Sequence, residues 1–148
     1  MNGPSPHLSW AEIACHDRAR TPYPERWRAS GGRAEILARC FEAIRERLGN
    51  QPLTVLSGFR TTDWNQRVGG APNSFHMQGM AIDIKTPVGM TPDEMVQIAA
   101  DIAESLPIGG IGRYPWGIHV DIRTLLRGPS GTRRVLRWRS GQPKESGK

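Results

Sequence analysis

The order of apolar and polar positions predicts an alternation of helices and strands. In residues 33–48 apolar side chains recur every three or four positions, as on the buried face of a helix. A second helix is expected after Thr91-Pro92-Asp93-Glu94, where a threonine cap, an early proline and a closing glutamate mark a helix start, and it should run to about Leu106. A shorter helix is predicted over Leu8–Cys15, and Thr61-Thr62-Asp63 is expected to cap one or two helical turns that continue through Arg67.

Short apolar runs predict the strands of a single sheet. The Tyr114-Pro115-Trp116 turn joins two of them into a β-hairpin, and the last run could add an edge strand. The predicted strands cover residues 53–56, 80–84, 109–112, 118–122 and 135–139. We therefore predict an α+β fold, a small and mainly antiparallel sheet with helices packed on one face.

Charged and imidazole side chains interrupt two of the apolar strands. Asp83 lies in the run 80–84, and a lone carboxylate there costs several kcal/mol unless it is paired or binds a metal. His119 and Asp121 share one face of a later strand, because strand side chains alternate. With His76, these residues supply two imidazoles and a carboxylate, a zinc set that leaves a fourth position for water, which is the catalytic kind. A single histidine, taken alone, more often satisfies a buried hydrogen bond.

Three separated motifs resemble one known family. Ser74-x-His76-x-x-Gly79-x-Ala81-x-Asp83 fits, at every fixed position, the signature of the zinc D-Ala-D-Ala carboxypeptidases, whose relatives include phage L-alanyl-D-glutamate endopeptidases and the hedgehog signalling fold. Ser57-Gly58-Phe59-Arg60 is similar to the family's Ser-Gly-Tyr-Arg, and His119-Val120-Asp121 to its closing zinc-histidine strand. The resemblance covers Leu8 to Arg123.

The resemblance implies both a fold and an activity. The fold would be hedgehog/DD-peptidase-like, with Zn²⁺ bound by His76, Asp83 and His119. The reaction would be hydrolysis of peptidoglycan stem-peptide bonds that involve D-amino acids, by a carboxypeptidase or an endopeptidase. Zinc is preferred over calcium because imidazole suits zinc, whereas calcium takes oxygen ligands.

Four further side chains are expected to contact the substrate. The resemblance implies that Arg60 holds the substrate or steadies its carbonyl oxygen, since a guanidinium can clamp a carboxylate; an ion pair with Asp63 is the structural alternative. Ser74 could hydrogen-bond a ligand or the substrate, or shape its loop. Tyr114 and Trp116 could form a wall of the cleft, although exposed aromatic residues on turns often have no function.

The general base is where the sequence departs from part of the family. Phage endopeptidases and vancomycin-resistance dipeptidases carry an acid three residues before the final histidine, where this chain has Trp116. No acid lies between Glu104 and His119, so Asp121 is the nearest replacement. The alternative role of Asp121 is to orient an imidazole or to pair with Arg123. The missing acid also supports a second hypothesis, a catalytically inactive zinc-bearing module that binds cell wall or protein.

We expect the 148 residues to form one zinc peptidase domain over residues 1–140 and a basic, flexible tail over 141–148. Charge is distributed unevenly along this chain. From Arg123 onward, eight basic residues and one glutamate give a net charge of +7, and residues 1–122 carry −1, which together make the +6 of the chain. This end of the chain suits anionic wall polymers or proteins of a phage particle, and a solvated segment without a specific partner is the alternative. Nucleic acid is not expected, because basic residues with interleaved aromatics and a recognised motif are lacking.

The route to the substrate is also a prediction. The first ten residues lack a charged start followed by an apolar run, so no secretory signal is expected. No stretch approaches the ~20 apolar residues of a membrane span. We therefore expect synthesis in the cytoplasm, followed by association with a virion or release by lysis.

Overall fold

The computed structural model describes residues 2–127 and 134–140, and these residues form short helices around a sheet. The helices are α1 (Trp10–Ile13), α2 (Arg33–Arg47), α3 (Thr62–Arg67) and α4 (Pro92–Ile102). The strands are β1 (Val55–Ser57), β2 (Ala81–Lys85), β3 (Gly110–Tyr114), β4 (Gly117–Asp121) and β5 (Leu136–Arg139). Single 3₁₀ turns lie at Glu25–Trp27, Phe75–Gln78 and Arg123–Leu126. Within the described ranges, no helix is both long and apolar enough to cross a membrane.

The strands form a five-stranded sheet in the order β1-β2-β4-β3-β5. Neighbouring strands are antiparallel except for β3 and β5, which are parallel. The α+β class, the mainly antiparallel sheet and the hairpin of β3 and β4 are therefore confirmed. The predicted edge strand also forms, as β5.

Helix starts follow the predicted signals more closely than helix ends do. Thr91 caps α4 and forms a capping box with Glu94, as the sequence predicts. The predicted end near Leu106 is wrong by four residues, because α4 stops at Ile102 and the chain continues as a turn. Pro107 contributes to this difference, because it disfavours helical conformation at Leu106 and has no N–H to donate to the Ala103 carbonyl.

The core lies between the two longer helices and one face of the sheet. The inward side chains of the three central strands are at most 1% exposed, and they are Ile82, Ile84, Ile111, Ile118 and Val120. Arg113 projects from that face of β3 and donates a 2.6 Å hydrogen bond to Asp93 at the start of α4, so α4 lies on the same side, and α2 packs against it. The opposite face of the sheet carries the predicted metal residues.

Candidate metal centre

One row of residues crosses all five strands on the face opposite the core. Ser57 pairs with Asp83, Asp83 with His119, His119 with Gly112, and Gly112 with Trp138. Residues paired directly across a sheet project from the same face, so these five positions form a line. The strand register therefore brings Asp83 beside His119.

A β-bulge in β1 brings Ser57 into this row. Val55 pairs with Ile84 and Ser57 with Asp83, so a step of two residues on β1 matches a step of one on β2, and Leu56 is the extra residue. Val55 thus shares the core face with Ile84, while Ser57 shares the other face with Asp83. Without the bulge, the period of two along a strand would place Val55 and Ser57 on the same face.

The loop that carries His76 is fixed from several sides. The Ser74 side chain accepts a hydrogen bond from the backbone N–H of His76 at 3.2 Å, and this caps a 3₁₀ turn. Gly79 ends the turn at φ +65°, and its carbonyl accepts a 2.7 Å hydrogen bond from the buried Tyr23 hydroxyl. A side chain at Gly79 would also overlap the Trp27 ring. His76 is consequently 2% exposed and points at β2 from outside the sheet.

Three potential ligand atoms converge beside the sheet. His76 Nε2 and His119 Nδ1 each lie 3.0 Å from Asp83 Oδ1, and 3.3 Å from each other. The remaining ring nitrogens are occupied: His76 Nδ1 donates to the Gly58 carbonyl at 2.7 Å, and His119 Nε2 donates to Asp121 Oδ2 at 2.8 Å. In the neutral rings, the lone pairs of the converging nitrogens therefore face a carboxylate oxygen. Two imidazoles and a carboxylate that meet in this way fit a zinc ion.

The electrostatics of the group also fit a cation. Burial opposes the charged form of Asp83, but His76 and His119 together hold its pKa below the usual range. Burial lowers the pKa of His76, which favours the neutral ring that a metal ligand requires. Burial acts in the same direction on His119, but hydrogen bonds with Asp121 and Asp83 outweigh it and raise the pKa to about 9. A proton between His119 and Asp83 thus lies where a divalent cation would be bound.

Asp121 lies behind His119, on the side of the ring away from the converging atoms. Its Oδ2 accepts from His119 Nε2 and from a terminal guanidinium nitrogen of Arg123, both at 2.8 Å. Its Oδ1 accepts from the backbone N–H and the Nε of Arg123, at 3.1 and 2.8 Å. Asp121 is 0% exposed and Arg123 is 7% exposed. Of the two roles predicted for Asp121, these contacts favour orientation of the imidazole.

Arg60 lies at one side of the group and is held by three acceptors. Its Nε donates to Ser57 Oγ at 3.0 Å, and its terminal nitrogens donate to Asn65 Oδ1 at 3.1 Å and towards Asp83 Oδ2 at 3.5 Å. The ionic partner of Arg60 within the described residues is therefore Asp83, and not Asp63, which was the structural alternative.

An aromatic wall closes the other side of a cleft of about 990 Å³ above the row. Tyr114 and Trp116 stack with their ring centroids 4.7 Å apart and their planes 7° from parallel. Trp138 Nε1 donates to the Tyr114 hydroxyl at 2.9 Å, and its indole lies 5.3 Å from the His119 ring. Ser74, Tyr114 and Trp116, which were predicted to contact substrate, all line this cleft together with the metal residues and Arg60.

Several important positions were not identified as site residues from the sequence. Trp138 was assigned only to an edge strand, and Arg123 only as an alternative partner of Asp121. Gly110 and Gly112 make room for them, because a side chain at Gly110 would overlap Asp121 and Arg123, and one at Gly112 would overlap the Trp138 indole. Glycine inside a strand often marks the close approach of another group. The two glycines of β3 could therefore have drawn attention to Arg123 and Trp138 as residues near the site.

Two known proteins are similar to parts of the chain. Over 58 residues it is 43% identical to the zinc D-Ala-D-Ala carboxypeptidase of Streptomyces albus G, a match that covers 38% of this chain and 23% of that protein. Over 90 residues it is 37% identical to the probable peptidoglycan L,D-endopeptidase MepK of Haemophilus influenzae, which covers 55% of this chain and 46% of that protein. The chain thus spans less than half the length of each of these relatives.

A family-wide comparison covers more of the chain. The family model described as Peptidase M15 matches residues 6–121. The match includes the loop of His76, both central strands with Asp83 and His119, and the segment of Arg60, whereas β5 with Trp138 follows it. The extent of this match, together with the buried His-Asp-His group inside it, establishes that the chain belongs to the Peptidase M15 family.

Proposed function

We propose that this chain is a zinc-dependent peptidase that hydrolyses bonds involving D-amino acids in the stem peptides of peptidoglycan. One observation carries the proposal: the lone pairs of His76, Asp83 and His119 converge within a cleft that also contains Arg60. The relatives support the substrate class, because one is named for D-Ala-D-Ala and the other for peptidoglycan.

The chain's own residues would prepare the metal ligands. When bound by His76, Asp83 and His119, a zinc ion would lower the pKa of a water towards ~7 and polarise a scissile carbonyl. His76 donates its Nδ1–H to the Gly58 carbonyl, and His119 donates its Nε2–H to the Asp121 carboxylate. These bonds fix the tautomer and the orientation of each ring, so that the other nitrogen is available to the metal.

Arg60 is proposed to contact the substrate directly. A guanidinium has five N–H donors, and three of those on Arg60 are used by Ser57, Asn65 and Asp83. The other two have no acceptor within the described residues, and they are proposed to bind a carbonyl oxygen or a carboxylate of the peptide. The three internal contacts hold the side chain in place before substrate binds, so that little conformational entropy is lost on binding.

Asp121 is proposed to act as a positioning residue for His119. Four donated hydrogen bonds occupy the roughly four lone-pair sites of its carboxylate, so it has little capacity to take a proton from water. Its pKa is held below the usual range by Arg123 and His119, against the effect of burial. A carboxylate of low pKa is a poor base near neutral pH.

Ser74 and the aromatic pair complete the proposed substrate site. Ser74 shapes its loop through the bond to the N–H of His76, and its hydroxyl hydrogen can still reach a peptide acceptor. Tyr114 and Trp116 offer flat apolar surface along the cleft, suited to the side chains and backbone of an extended peptide.

The basic C-terminal part is proposed to bind anionic wall polymers or a phage particle. On β5, Arg137 and Arg139 are exposed, whereas Leu136 and Trp138 are buried. The predicted tail, residues 141–148, lies outside the described residues and contributes only two lysines and one glutamate to the net charge, so most of the +7 belongs to the arginines before it. The route to the wall, by virion or by lysis, stays a prediction that fractionation of infected or lysing cells would test.

Digestion of purified peptidoglycan tests the proposed function. Zinc-loaded protein is incubated with and without a chelator, and the products are analysed by mass. Loss of a terminal amino acid would indicate a carboxypeptidase, and division of the stem an endopeptidase. His76→Ala should abolish release, whereas His16→Ala, which removes an imidazole outside the cleft, should not. Zinc-loaded wild-type protein that binds the polymer and releases nothing would contradict the proposal and favour the inactive zinc-bearing module.

A further inference from the structure

Few side chains of the cleft have a hydroxyl or carboxyl group that could donate a hydrogen bond to a reacting peptide. Among the described residues that line it, Asp83 has the only carboxylate, and this belongs to the metal group. The residue three positions before His119 is Trp116, which has no acidic group. Hydroxyl groups on the lining are limited to Ser74 and Tyr114, and the loop of His76 already uses the Ser74 oxygen.

The backbone places Tyr114 next to the metal row. Gly112 pairs with His119, and Tyr114 lies two residues further along β3, so its side chain leaves the sheet on the same face. Tyr114 and Arg60 both line the cleft, as do the imidazoles of His76 and His119. The phenol, the guanidinium and the imidazoles thus surround one space.

Two tryptophans hold the Tyr114 ring in a defined orientation. Trp116 stacks on its face, and Trp138 Nε1 donates to its hydroxyl oxygen at 2.9 Å. An indole N–H can only donate, so the hydroxyl oxygen is the acceptor in this bond and keeps its own hydrogen for another partner. No side chain or backbone acceptor for that hydrogen is present among residues 2–127 and 134–140.

We propose that the Tyr114 hydroxyl donates a hydrogen bond to the scissile carbonyl oxygen as negative charge develops on it, beside Arg60. Trp138 would be the positioning residue for this hydroxyl, and Gly112 leaves the space that the indole needs. The inference rests on the proposed peptidase function. It assigns a role in the reaction to β5, a strand that follows the family match.

Tyr114→Phe tests the inference with a minimal change. The variant keeps the ring and its stacking on Trp116 and removes only the hydroxyl. Removal of one such donor typically lowers kcat by about 10²–10³, and we expect a loss of this size, with KM and zinc content close to those of wild type. The melting temperature should fall slightly, because the Trp138 N–H loses its acceptor. The matched control is Tyr23→Phe, since Tyr23 is the chain's other tyrosine and its hydroxyl supports Gly79. This variant should lower the melting temperature and the zinc affinity, because its hydroxyl holds the residue that ends the turn of His76, whereas Tyr114→Phe should lower kcat with zinc fully bound.

A double-mutant cycle tests the role of Trp138. Trp138→Phe should lower kcat less than Tyr114→Phe does, and should cause no further loss in the Tyr114→Phe background, because both changes act through one hydroxyl. A Tyr114→Phe variant with wild-type kcat and full zinc would overturn this inference but not the proposed function. An effect confined to KM would do the same. A wild-type protein that cleaves no peptidoglycan would instead overturn the proposed function, and this inference with it.

Discussion

Replacement of Asp121 by asparagine distinguishes the two roles that this carboxylate could have. Asparagine keeps the shape and one oxygen acceptor, but it places an amide NH₂ where His119 or Arg123 now donates. Two donors would then face each other in a fully buried site. The negative charge opposite the Arg123 guanidinium would also be lost.

The size of the effect on each property follows from these contacts. Arg123 is 7% exposed, so the loss of its charged partner should lower the free energy of unfolding by about 3–5 kcal/mol, as when one side of a buried ion pair is removed. Loss of the group that orients a ligating imidazole should weaken zinc binding by about 10- to 100-fold. At about 1.4 kcal/mol per tenfold change, this is about 1.4–2.7 kcal/mol.

Three measurements on one preparation test this prediction. They are zinc affinity by competition with a chromogenic chelator, the free energy of unfolding in urea without metal, and turnover of a soluble stem peptide at saturating zinc. Asp93→Asn is the matched control: Asp93 also accepts from two arginines, but its side chain is 61% exposed, so we expect a change of only about 0–1 kcal/mol in stability and none in zinc affinity. A fall of about 10²–10⁴ in turnover with zinc fully bound would refute the positioning role and identify Asp121 as the base.

Three further predictions concern the ligands, the strand glycine and the end of the chain. His76→Ala and Asp83→Ala should each lose nearly all bound zinc in metal analysis, and full occupancy in both would contradict the assignment. Gly112→Ala should lower stability by about 1–3 kcal/mol, because its Cβ would lie 2.5 Å from Trp138 Nε1, and tryptophan fluorescence should report the displaced indole. Truncation after Ser140 should leave the circular dichroism spectrum and turnover unchanged. Truncation before Gly128 also removes β5 and should unfold or destabilise the protein, since Leu136 is 3% exposed; an unchanged melting temperature would show that β5 is dispensable.

The convergence of His76, Asp83 and His119 could be predicted, because a local motif that resembles a known family and the alternation of strand side chains both indicate it. The spacing of His76 and Asp83 is fixed within a single loop and strand, and alternation alone places His119 and Asp121 on one face. Alternation does not specify which ring nitrogen faces the cleft. The hydrogen bonds that His76 and His119 donate to the Gly58 carbonyl and the Asp121 carboxylate decide this, and both depend on tertiary packing.

The contribution of Trp138 to the aromatic wall could not be predicted, because it depends on strand pairing. The pattern of residues 135–139 correctly indicates a strand with Leu136 and Trp138 on one face. It contains nothing that selects β3 as the partner, the parallel direction, or the register that places Trp138 opposite Gly112. The role of Asp121 was left open for a related reason, since its face was clear but its partners were not.

The bulge in β1 makes position 56 tolerant of changes in both side chain and chain length. Leu56 is 38% exposed, so its replacement by another residue should disturb little. Deletion of Leu56 would make Val55 and Ser57 consecutive, and the regular period of two would still place them on opposite faces of the sheet, against Ile84 and Asp83. Arg60 would therefore keep the Ser57 hydroxyl that holds its Nε. Active homologues should vary freely in residue type at this position, and some should lack the residue altogether, whereas loss of a residue between Ser57 and Arg60 should be rare, because it would change the spacing across which these two side chains meet.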